Sequence, residues 1–268
     1  MGWLYTVIGL VVLAAVELFI RVFIGFPPLY VEHPTAVYMP LPSSETHYLG
    51  VHYTFNSWGM RSAEFELEKP RGVHRVLVLG DDVTFGEGIA QEDLATELLA
   101  EMASSGRTLE VLNLAAPGWG PGNVLAYVRK FGLFDADQVI WVARGSDLKD
   151  DREFGPLDPY RQPAARAWWY TGFYLGRSLS GPFEKSPSLG DGRGSASALL
   201  NELAASGIPT CLVLHPSSAE AASGQPGVDL IALSNLASES AVSITRAEAD
   251  PNGPNPTLLA RSLAGCGL

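Results

Sequence analysis

Short runs of apolar residues alternate with longer amphipathic stretches along most of this chain. The apolar runs predict five strands, near residues 75–80, 109–114, 138–143, 210–215 and 241–246. The amphipathic stretches predict helices over residues 92–104, 122–132, 195–206, 228–238 and 256–264. Strands that alternate with helices in this order predict an α/β domain with a parallel sheet.

The first 27 residues have a different pattern, because they are apolar almost throughout. No charged side chain occurs between Met1 and Val16, and Pro27 follows Phe26 and ends any helix there. This predicts one transmembrane helix in residues 1–27, with the lipid bilayer as its partner. A removable signal peptide is the alternative, but the segment lacks a basic region before the apolar run and an Ala-x-Ala-like cleavage site. We therefore expect a retained, single-pass anchor.

Two charged residues, Glu17 and Arg21, lie near the end of this predicted helix. Ionisable residues in membrane segments are costly and commonly face protein or water. Because Arg21 follows Glu17 by four residues, an i,i+4 ion pair near the interface would satisfy both groups. The alternative is that Glu17 or Arg21 docks onto the transmembrane segment of another subunit.

The rest of the chain divides into an arm and one domain. Residues 28–70 are rich in Pro, Tyr and His, and we expect them to form an irregular connecting arm. Residues 71–268 are expected to form a single domain. An insertion at residues 149–194, between the third and fourth predicted strands, is too long for an ordinary loop in a compact domain.

The centre of the insertion concentrates aromatic side chains, which are Trp168, Trp169, Tyr170, Phe173 and Tyr174. A helix folded against the domain would explain them. The alternative is a partner-binding surface, acting together with Glu17 and Arg21, because Trp, Tyr and Arg are enriched at interface hot spots. Contact with lipid headgroups beside the anchor is a third interpretation, and a carbohydrate platform is a fourth.

Composition and charge limit the function classes. The 268 residues, 47% of them hydrophobic, are enough for one anchored domain with one core. The formal net charge of −11 argues against nucleic acid or a bare anionic membrane surface as the partner of the soluble part. The two cysteines, Cys211 and Cys266, show neither metal-ligand spacing nor a disulfide framework, and we interpret Cys211 as a buried core residue.

Blocks rich in glycine and aspartate follow the predicted strands, at the edge where open α/β sheets place their sites. They are Gly80-Asp81-Asp82-Val83-Thr84-Phe85-Gly86-Glu87-Gly88, Ala115-Ala116-Pro117-Gly118-Trp119-Gly120, Arg144-Gly145-Ser146-Asp147 and Asp250-Pro251-Asn252, preceded in the arm by Phe55-Asn56-Ser57-Trp58-Gly59-Met60-Arg61. In this order they resemble the blocks of SGNH/GDSL hydrolases, including membrane-anchored members. The resemblance implies a flavodoxin-like, three-layer α/β domain with a parallel sheet, on the periplasmic side of a bacterial inner membrane.

The resemblance also implies that the reacting groups are replaced. Asp82 stands where the family has its nucleophilic serine, Ser146 where it has an oxyanion-donating asparagine, and Asp250 where it has its general-base histidine. The scaffold glycines are retained, namely Gly80, Gly118 and Gly120. In the family, the glycine of the second block is an oxyanion-hole donor.

Such a site predicts a noncatalytic protein. Loss of a triad serine or histidine costs on the order of 10⁶ in turnover, and loss of one oxyanion donor costs about 10² to 10³ more. We therefore expect no catalytic residue and no cofactor, and an accessory or scaffold subunit whose partners are other integral-membrane subunits.

The alternative function is a hydrolase of acyl esters or acetylated glycans with altered chemistry. In one version, Asp82, Asp147 and Asp250 would hold a hard divalent cation. In another, His215 at the end of the fourth predicted strand would act as the base, although a plain structural role at the strand end explains this histidine as well.

Overall fold

The fold consists of an exposed apolar helix, an arm and an α/β domain. The computed structural model describes residues 2–34, 37–102, 108–148, 157–180, 192–217, 220, 223, 226–248 and 255–268. Its helices are α1 Gly2–Phe19, α2 Asp82–Phe85, α3 Ala95–Met102, α4 Pro121–Phe131, α5 Tyr170–Leu179, α6 Gly192–Ala205, α7 Val228–Glu239 and α8 Pro256–Ala264. Its strands are β1 Tyr30–His33, β2 Val37–Pro40, β3 Ser44–Tyr48, β4 Val51–Phe55, β5 Val73–Gly80, β6 Thr108–Ala115, β7 Gln138–Ala143, β8 Thr210–Leu214 and β9 Ser243–Arg246.

Helix α1 continues through a π-helical stretch, Ile20–Ile24, so that one apolar helix runs from Gly2 to Ile24. Its mean hydropathy reaches 2.6, and its length and composition suit a membrane span, although a signal sequence has the same properties. The helix ends at Gly25, where φ is +76° and an added Cβ would lie 1.9 Å from the carbonyl oxygen of His47. Only glycine fits this exit from the helix.

The composition of the arm predicts an irregular connection, and this prediction is wrong. The arm forms two antiparallel hairpins. Strand β1 pairs with β2, and β3 pairs with β4. The turn between β3 and β4 is Leu49-Gly50, with φ of 51° and 83°, and positive φ at both central residues is typical of tight hairpin turns. One face of this hairpin is buried through Tyr48, Tyr53 and Phe55. This buried face explains why the arm forms strands.

The domain is built on a five-stranded parallel sheet with the order β6-β5-β7-β8-β9. Counted along the chain within this sheet, the order is 2-1-3-4-5, which is the flavodoxin-like arrangement. The predicted α/β class with a parallel sheet is confirmed, and each predicted strand occurs close to its expected bounds.

Helices cover both faces of the sheet, because successive strand residues point to opposite sides. Val76 and Val78 of β5 pack in a core with α3 and α8. Leu77 and Leu79 pack on the other side with α4, α6 and α7. The predicted three-layer architecture is therefore confirmed.

Cys211 and Cys266 form a disulfide, which corrects the expectation that the two cysteines are not bridged. Their Cα atoms are 5.9 Å apart, and 55 positions separate them in the chain. Cys211 is buried in β8, as expected, while Cys266 follows α8. The sequence does not reveal this pair, because only the docking of α8 under the sheet brings the two residues together.

Helix α5 belongs to the predicted insertion and packs beside the end of α1. Tyr170 and Phe173 are buried there with Phe26. A helix folded against the rest of the protein is therefore the correct interpretation of these two residues. Residues 149–156 and 181–191 of the insertion lie outside the described residues.

Candidate functional site

The candidate site lies at the carboxyl edge of the sheet, where β5 ends at Gly80. An added Cβ at Gly80 would lie 2.0 Å from Thr84 Oγ1, so the sharp turn into α2 requires glycine here. Asp81 caps α2 by accepting a hydrogen bond from the Val83 N–H (3.1 Å). Asp82 is the first residue of this helix.

Both glycines of the second block have their N–H groups occupied by side chains of this chain. The Gly118 N–H donates to Asp82 Oδ1 (2.5 Å), from a backbone with φ of +76°. The Gly120 N–H donates to Asn123 Oδ1 (3.0 Å) at the start of α4. An oxyanion hole depends on amide groups that point at the place where the substrate oxygen develops charge. In this structure the Gly118 N–H points at the Asp82 carboxylate.

Arg144 completes the arrangement and was not identified by the sequence patterns. Its Nε donates to Asp81 Oδ2 (2.6 Å), and its Nη2 lies 3.2 Å from Asp82 Oδ2. Arg144 directly follows β7, where the family block has its first glycine, and that replacement was the available clue. A guanidinium at this edge neutralises carboxylates that would otherwise repel each other.

Burial and charge determine the ionisation of these groups. Burial raises the pKa of Asp81, and the Asp82 charge adds to this shift, while Arg144 opposes it. Burial alone would lower the pKa of Arg144, but Asp81, Asp82 and Asp147 outweigh it, so that the pKa of Arg144 is raised. The guanidinium is therefore permanently charged, and it supplies the cation beside the two carboxylates.

The other predicted site residues divide into three cases. Ser146 lies in the 3₁₀ turn Gly145–Leu148, and its side chain is exposed. Asp147 is buried and accepts the Arg144 N–H (2.9 Å), so it stabilises the strand end. Asp250 lies outside the described residues.

The hypothesis that Asp82, Asp147 and Asp250 hold a divalent cation stays a prediction, because Asp250 lies outside the described residues. Among the residues that the structure describes, no group of three or more His, Cys, Asp or Glu side chains is placed to hold a metal ion. The guanidinium of Arg144 lies where a cation beside Asp81 and Asp82 would be bound.

His215 follows β8, and its backbone N–H donates to the Ala143 carbonyl (2.8 Å). Burial lowers the pKa of His215, and the Arg144 charge lowers it further, so the ring is neutral at pH 7. Within the described parts of the chain, no carboxylate hydrogen-bonds to this ring, and its Nδ1 has no hydrogen-bond partner. A triad base is normally oriented by such a carboxylate, and the described residues show none at His215.

A cleft of about 290 Å³ opens above Asp82. The domain lines the cleft with Asp82, Glu87 and Gly118, and the insertion lines it with Arg161, Gln162 and Arg177. The rest of the lining comes from Pro27 after α1 and from the arm residues Pro28, Tyr30 and Tyr48. A larger cavity of about 590 Å³ lies at the opposite edge of the sheet, where the strands begin. Open α/β sheets place their sites at the carboxyl edge, so the smaller cleft is the candidate site.

Arg61 of the arm block supports the turn that carries Asp82. The buried guanidinium donates to the carbonyl oxygens of Phe85 (2.9 Å), Gly86 (2.7 Å) and Ile89 (2.9 Å). Its Cζ lies 4.5 Å from the centroid of the Tyr53 ring. Burial lowers the pKa of Arg61 to about 10, which leaves it charged at neutral pH. The arm is therefore part of the site and not a passive connection.

The two charged residues at the end of α1 bind within the chain. Glu17 accepts the backbone N–H groups of Tyr170 (2.9 Å) and Thr171 (2.8 Å) at the start of α5. Arg21 Nε donates to Glu17 Oε1 (2.7 Å), and Arg21 also donates to the Trp168 carbonyl. The predicted i,i+4 ion pair is present.

The predicted partner-binding aromatics do not form one surface. Tyr170 and Phe173 are buried, and the Tyr174 hydroxyl donates to the Gly25 carbonyl (2.9 Å). Trp168 and Trp169 remain exposed at the tip that precedes α5. Of these five aromatic side chains, Trp168 is the most exposed, at 85%, followed by Trp169 at 37%.

Similarity to known proteins is found at the level of structure. No protein-family model and no curated protein matches the chain. An acetylxylan esterase from Geobacillus stearothermophilus has a TM-score of 0.46 and 14% identity, over 73% of this chain and 94% of that one. The psychrotrophic esterase EstA from Pseudoalteromonas sp. has a TM-score of 0.42 and 13% identity, over 72% and 96%. An SGNH-hydrolase family esterase has a TM-score of 0.38 and 18% identity, over 68% and 77%.

These similarities concern the fold and carry no conclusion about activity or substrate. The strand order of the sheet and the blocks at its carboxyl edge agree with the SGNH/GDSL hydrolase-like fold that the sequence predicts. What the site does must therefore be argued from its own residues.

Proposed function

We propose that this chain is a noncatalytic, membrane-anchored protein with an SGNH/GDSL hydrolase-like domain, which acts as an accessory subunit of a membrane protein complex. The observation that carries the proposal is the hydrogen bond from the Gly118 N–H to Asp82 Oδ1 (2.5 Å). An ester hydrolase needs such an amide free for the oxyanion of its substrate. Here a carboxylate of the chain itself occupies the amide.

The charge of Asp82 also opposes acyl transfer. A unit negative charge on a substrate oxygen 4 Å from this carboxylate would be repelled by about 4 kcal/mol at an effective dielectric of 20. Arg144 offsets part of this repulsion, but the guanidinium is shared with Asp81. Replacing a neutral hydroxyl by this ion pair therefore favours a structural role for the turn.

The cellular location that we propose follows from the helix and the disulfide. Disulfides form and persist in oxidising compartments and are rare in the cytosol. The Cys211–Cys266 bridge therefore supports a domain in the periplasm. Helix α1 would then be a single-pass anchor in the bacterial inner membrane.

The partner that we propose is another integral-membrane protein. The side chains of α1 are exposed over most of the length of the helix. In a bilayer, an apolar helix surface of this kind packs either on lipid or on a neighbouring transmembrane helix. The contact with a partner helix would therefore lie along α1, and the domain would add contacts outside the membrane.

An esterase assay on the detergent-solubilised full-length chain tests the catalytic part of the proposal. We expect no turnover of short-chain acyl esters by the wild type, and none by Asp82→Ser, which restores the hydroxyl without a base. Wild-type turnover that disappears in Asp82→Ala would overturn the proposal and favour a hydrolase with altered chemistry.

Purification of the tagged chain from gently solubilised, crosslinked native membranes tests the assembly part. We expect a second integral-membrane protein to be recovered in constant ratio. A chain that runs as a lone monomer, with no crosslinked partner, would contradict the accessory role and leave the fold unaffected.

A further inference from the structure

The start of α5 is fixed to α1 at one level of the membrane-spanning helix. Both oxygens of Glu17 accept N–H groups from the first turn of α5, at 2.9 Å from Tyr170 and 2.8 Å from Thr171. The Thr171 hydroxyl adds a third bond to Glu17 (2.8 Å). The insertion therefore reaches down along α1 to the height of residues 17–21.

This height falls at the edge of the hydrocarbon region if α1 spans a bilayer. The hydrocarbon core is about 30 Å thick and needs about 20 helical residues. A span that begins at Trp3 then leaves the hydrocarbon near residue 22. At about 1.5 Å per residue, Glu17 lies roughly 7 Å inside that boundary. Interfacial elements bury themselves by about 5–10 Å, so the tip before α5 falls in this range.

The side chains at the tip match the chemistry of that zone. Trp168 is 85% exposed, and its ring lies 6.1 Å from that of Trp169 between centroids. Trp and Tyr concentrate at the headgroup level of membranes, where the ring is apolar and its N–H or O–H finds water or lipid oxygen. Trp169 is 37% exposed, so most of the open ring surface at the tip belongs to Trp168.

The sequence of α1 has an aromatic belt at one end only. Trp3 and Tyr5 are exposed near its start, at 72% and 70%. Residues 17–24 contain no Trp and no Tyr. Trp3 and Arg21 are separated by about 27 Å along the helix axis at about 1.5 Å per residue, which is close to the hydrocarbon thickness. The insertion places Trp168 at the end of α1 where the belt is absent.

We propose that Trp168 and Trp169 insert into the headgroup region of the leaflet from which α1 emerges, and so supply the second interfacial belt of the anchor. The inference rests on the proposed role of α1 as a membrane anchor. Lipid fits the tip better than a partner helix does, because Glu17 and Arg21, the polar groups that such a helix would engage, are already bonded within the chain. The domain would thereby be held at a fixed height above the bilayer.

Tryptophan quenching by brominated lipid tests this placement. The full-length chain would be reconstituted into phosphatidylcholine vesicles that carry bromine either near the headgroup or deep in the acyl chains. In a Trp3→Phe background we expect quenching that is stronger with shallow bromine. It should be lost in Trp3→Phe/Trp168→Phe/Trp169→Phe, because Trp119 and Trp141 are buried in the domain and Trp58, which is partly buried, packs against the same core. Equal quenching of the Trp3→Phe variant and of the triple variant would overturn the inference.

A matched variant separates this inference from the anchor itself. Trp168→Phe/Trp169→Phe retains Trp3, which reports on α1 alone. If Trp3 is quenched in this variant but the tip tryptophans are not quenched in the Trp3→Phe variant, the insertion does not contact lipid and the proposed anchor is unaffected. A Trp3 that no bromolipid quenches would show that α1 is not inserted, and both proposals would fail.

Discussion

Gly118 and Asp82 are joined by a hydrogen bond of 2.5 Å from the glycine N–H to the carboxylate Oδ1. The bond connects the loop after β6 to the turn after β5. The other carboxylate oxygen faces Arg144 at 3.2 Å, which adds the end of β7. The carboxyl ends of β5, β6 and β7 are therefore tied to each other through side chains of the chain itself.

Removal of the Arg144 charge should destabilise the domain. Arg144→Gln leaves the Asp81 carboxylate buried without its ion-pair partner, and breaking a buried pair in this way costs about 3 kcal/mol or more. We expect the urea midpoint of the detergent-solubilised chain, followed by Trp fluorescence, to fall accordingly. Arg144 is partly exposed, so the loss of unfolding free energy should be close to the lower limit of about 3 kcal/mol.

The double variant Asp81→Asn/Arg144→Gln provides the control for this interpretation. Because it removes both charges, we expect it to recover part of the stability that Arg144→Gln loses. A double variant that is as unstable as the sum of the two single variants would show that the ion pair contributes nothing specific.

Arg61 should be essential for the arm to hold the turn after α2. Arg61→Met removes hydrogen bonds to the carbonyls of Phe85, Gly86 and Ile89, and bonds to a charged group contribute about 1.5–3 kcal/mol each. We expect a loss of at least about 3 kcal/mol in unfolding free energy by urea denaturation. Arg71→Met, at an exposed position, is the matched control and should change the unfolding free energy by less than about 0.5 kcal/mol. Equal effects of the two substitutions would refute the role of Arg61.

The disulfide should contribute substantially to stability. For a loop of 55 residues, the chain-entropy estimate is about 4 kcal/mol, and measured values commonly lie at about 2–4 kcal/mol. We expect Cys266→Ser to lower the unfolding free energy by such an amount, and reducing agent to affect the wild type but not the variant. If both thiols of the native protein react with a maleimide without prior reduction, the bridge is absent and the support for a periplasmic domain is lost.

Glu97 should make the domain more stable at mildly acidic pH. Burial raises the pKa of Glu97, and the nearby Glu101 charge adds to it, against the hydrogen bond from Gln91. Between its ordinary pKa and the raised value, the folded state binds more protons than the unfolded state, so stability increases as the pH falls through this window. We expect the rise in urea midpoint from pH 7.5 to pH 5 to be smaller in Glu97→Gln than in wild type. Glu92→Gln, at an exposed position, should keep the full rise.

Much of the fold could be predicted because its determinants are local. The apolar runs at 75–80 and 138–143 predict strands without knowledge of the strands they pair with. The glycine-rich turn after the first run can also be recognised from its own sequence. The position of Asp82 at the carboxyl edge follows from these two facts. Sequence order and strand topology together determine which blocks meet.

The contacts of the site could not be predicted, because they depend on side chains that are distant in the chain. Arg144 and Asp81 are separated by 63 positions, and only the pairing of β5 with β7 brings them together. The β3–β4 hairpin of the arm depends in the same way on burial of Tyr53 against Phe85. A pattern of single residues records the chemistry available at each strand end but not which groups neutralise each other.

Glu17 should act as the cap of α5, and this contact joins residues 153 positions apart. Helix α5 has no capping side chain of its own, because Trp169 occupies its N-cap. Loss of an N-cap costs about 0.5–2 kcal/mol, so Glu17→Leu should detach the first turn of α5 from α1 without preventing membrane insertion. We expect faster hydrogen exchange at residues 170–174 and new protease cleavage near Trp169, in nanodiscs that contain the full chain. Glu17→Gln retains one acceptor oxygen and should have a smaller effect. If hydrogen exchange across α5 is unchanged in Glu17→Leu, the carboxylate does not hold the insertion. This outcome would favour the alternative that Glu17 binds another transmembrane subunit.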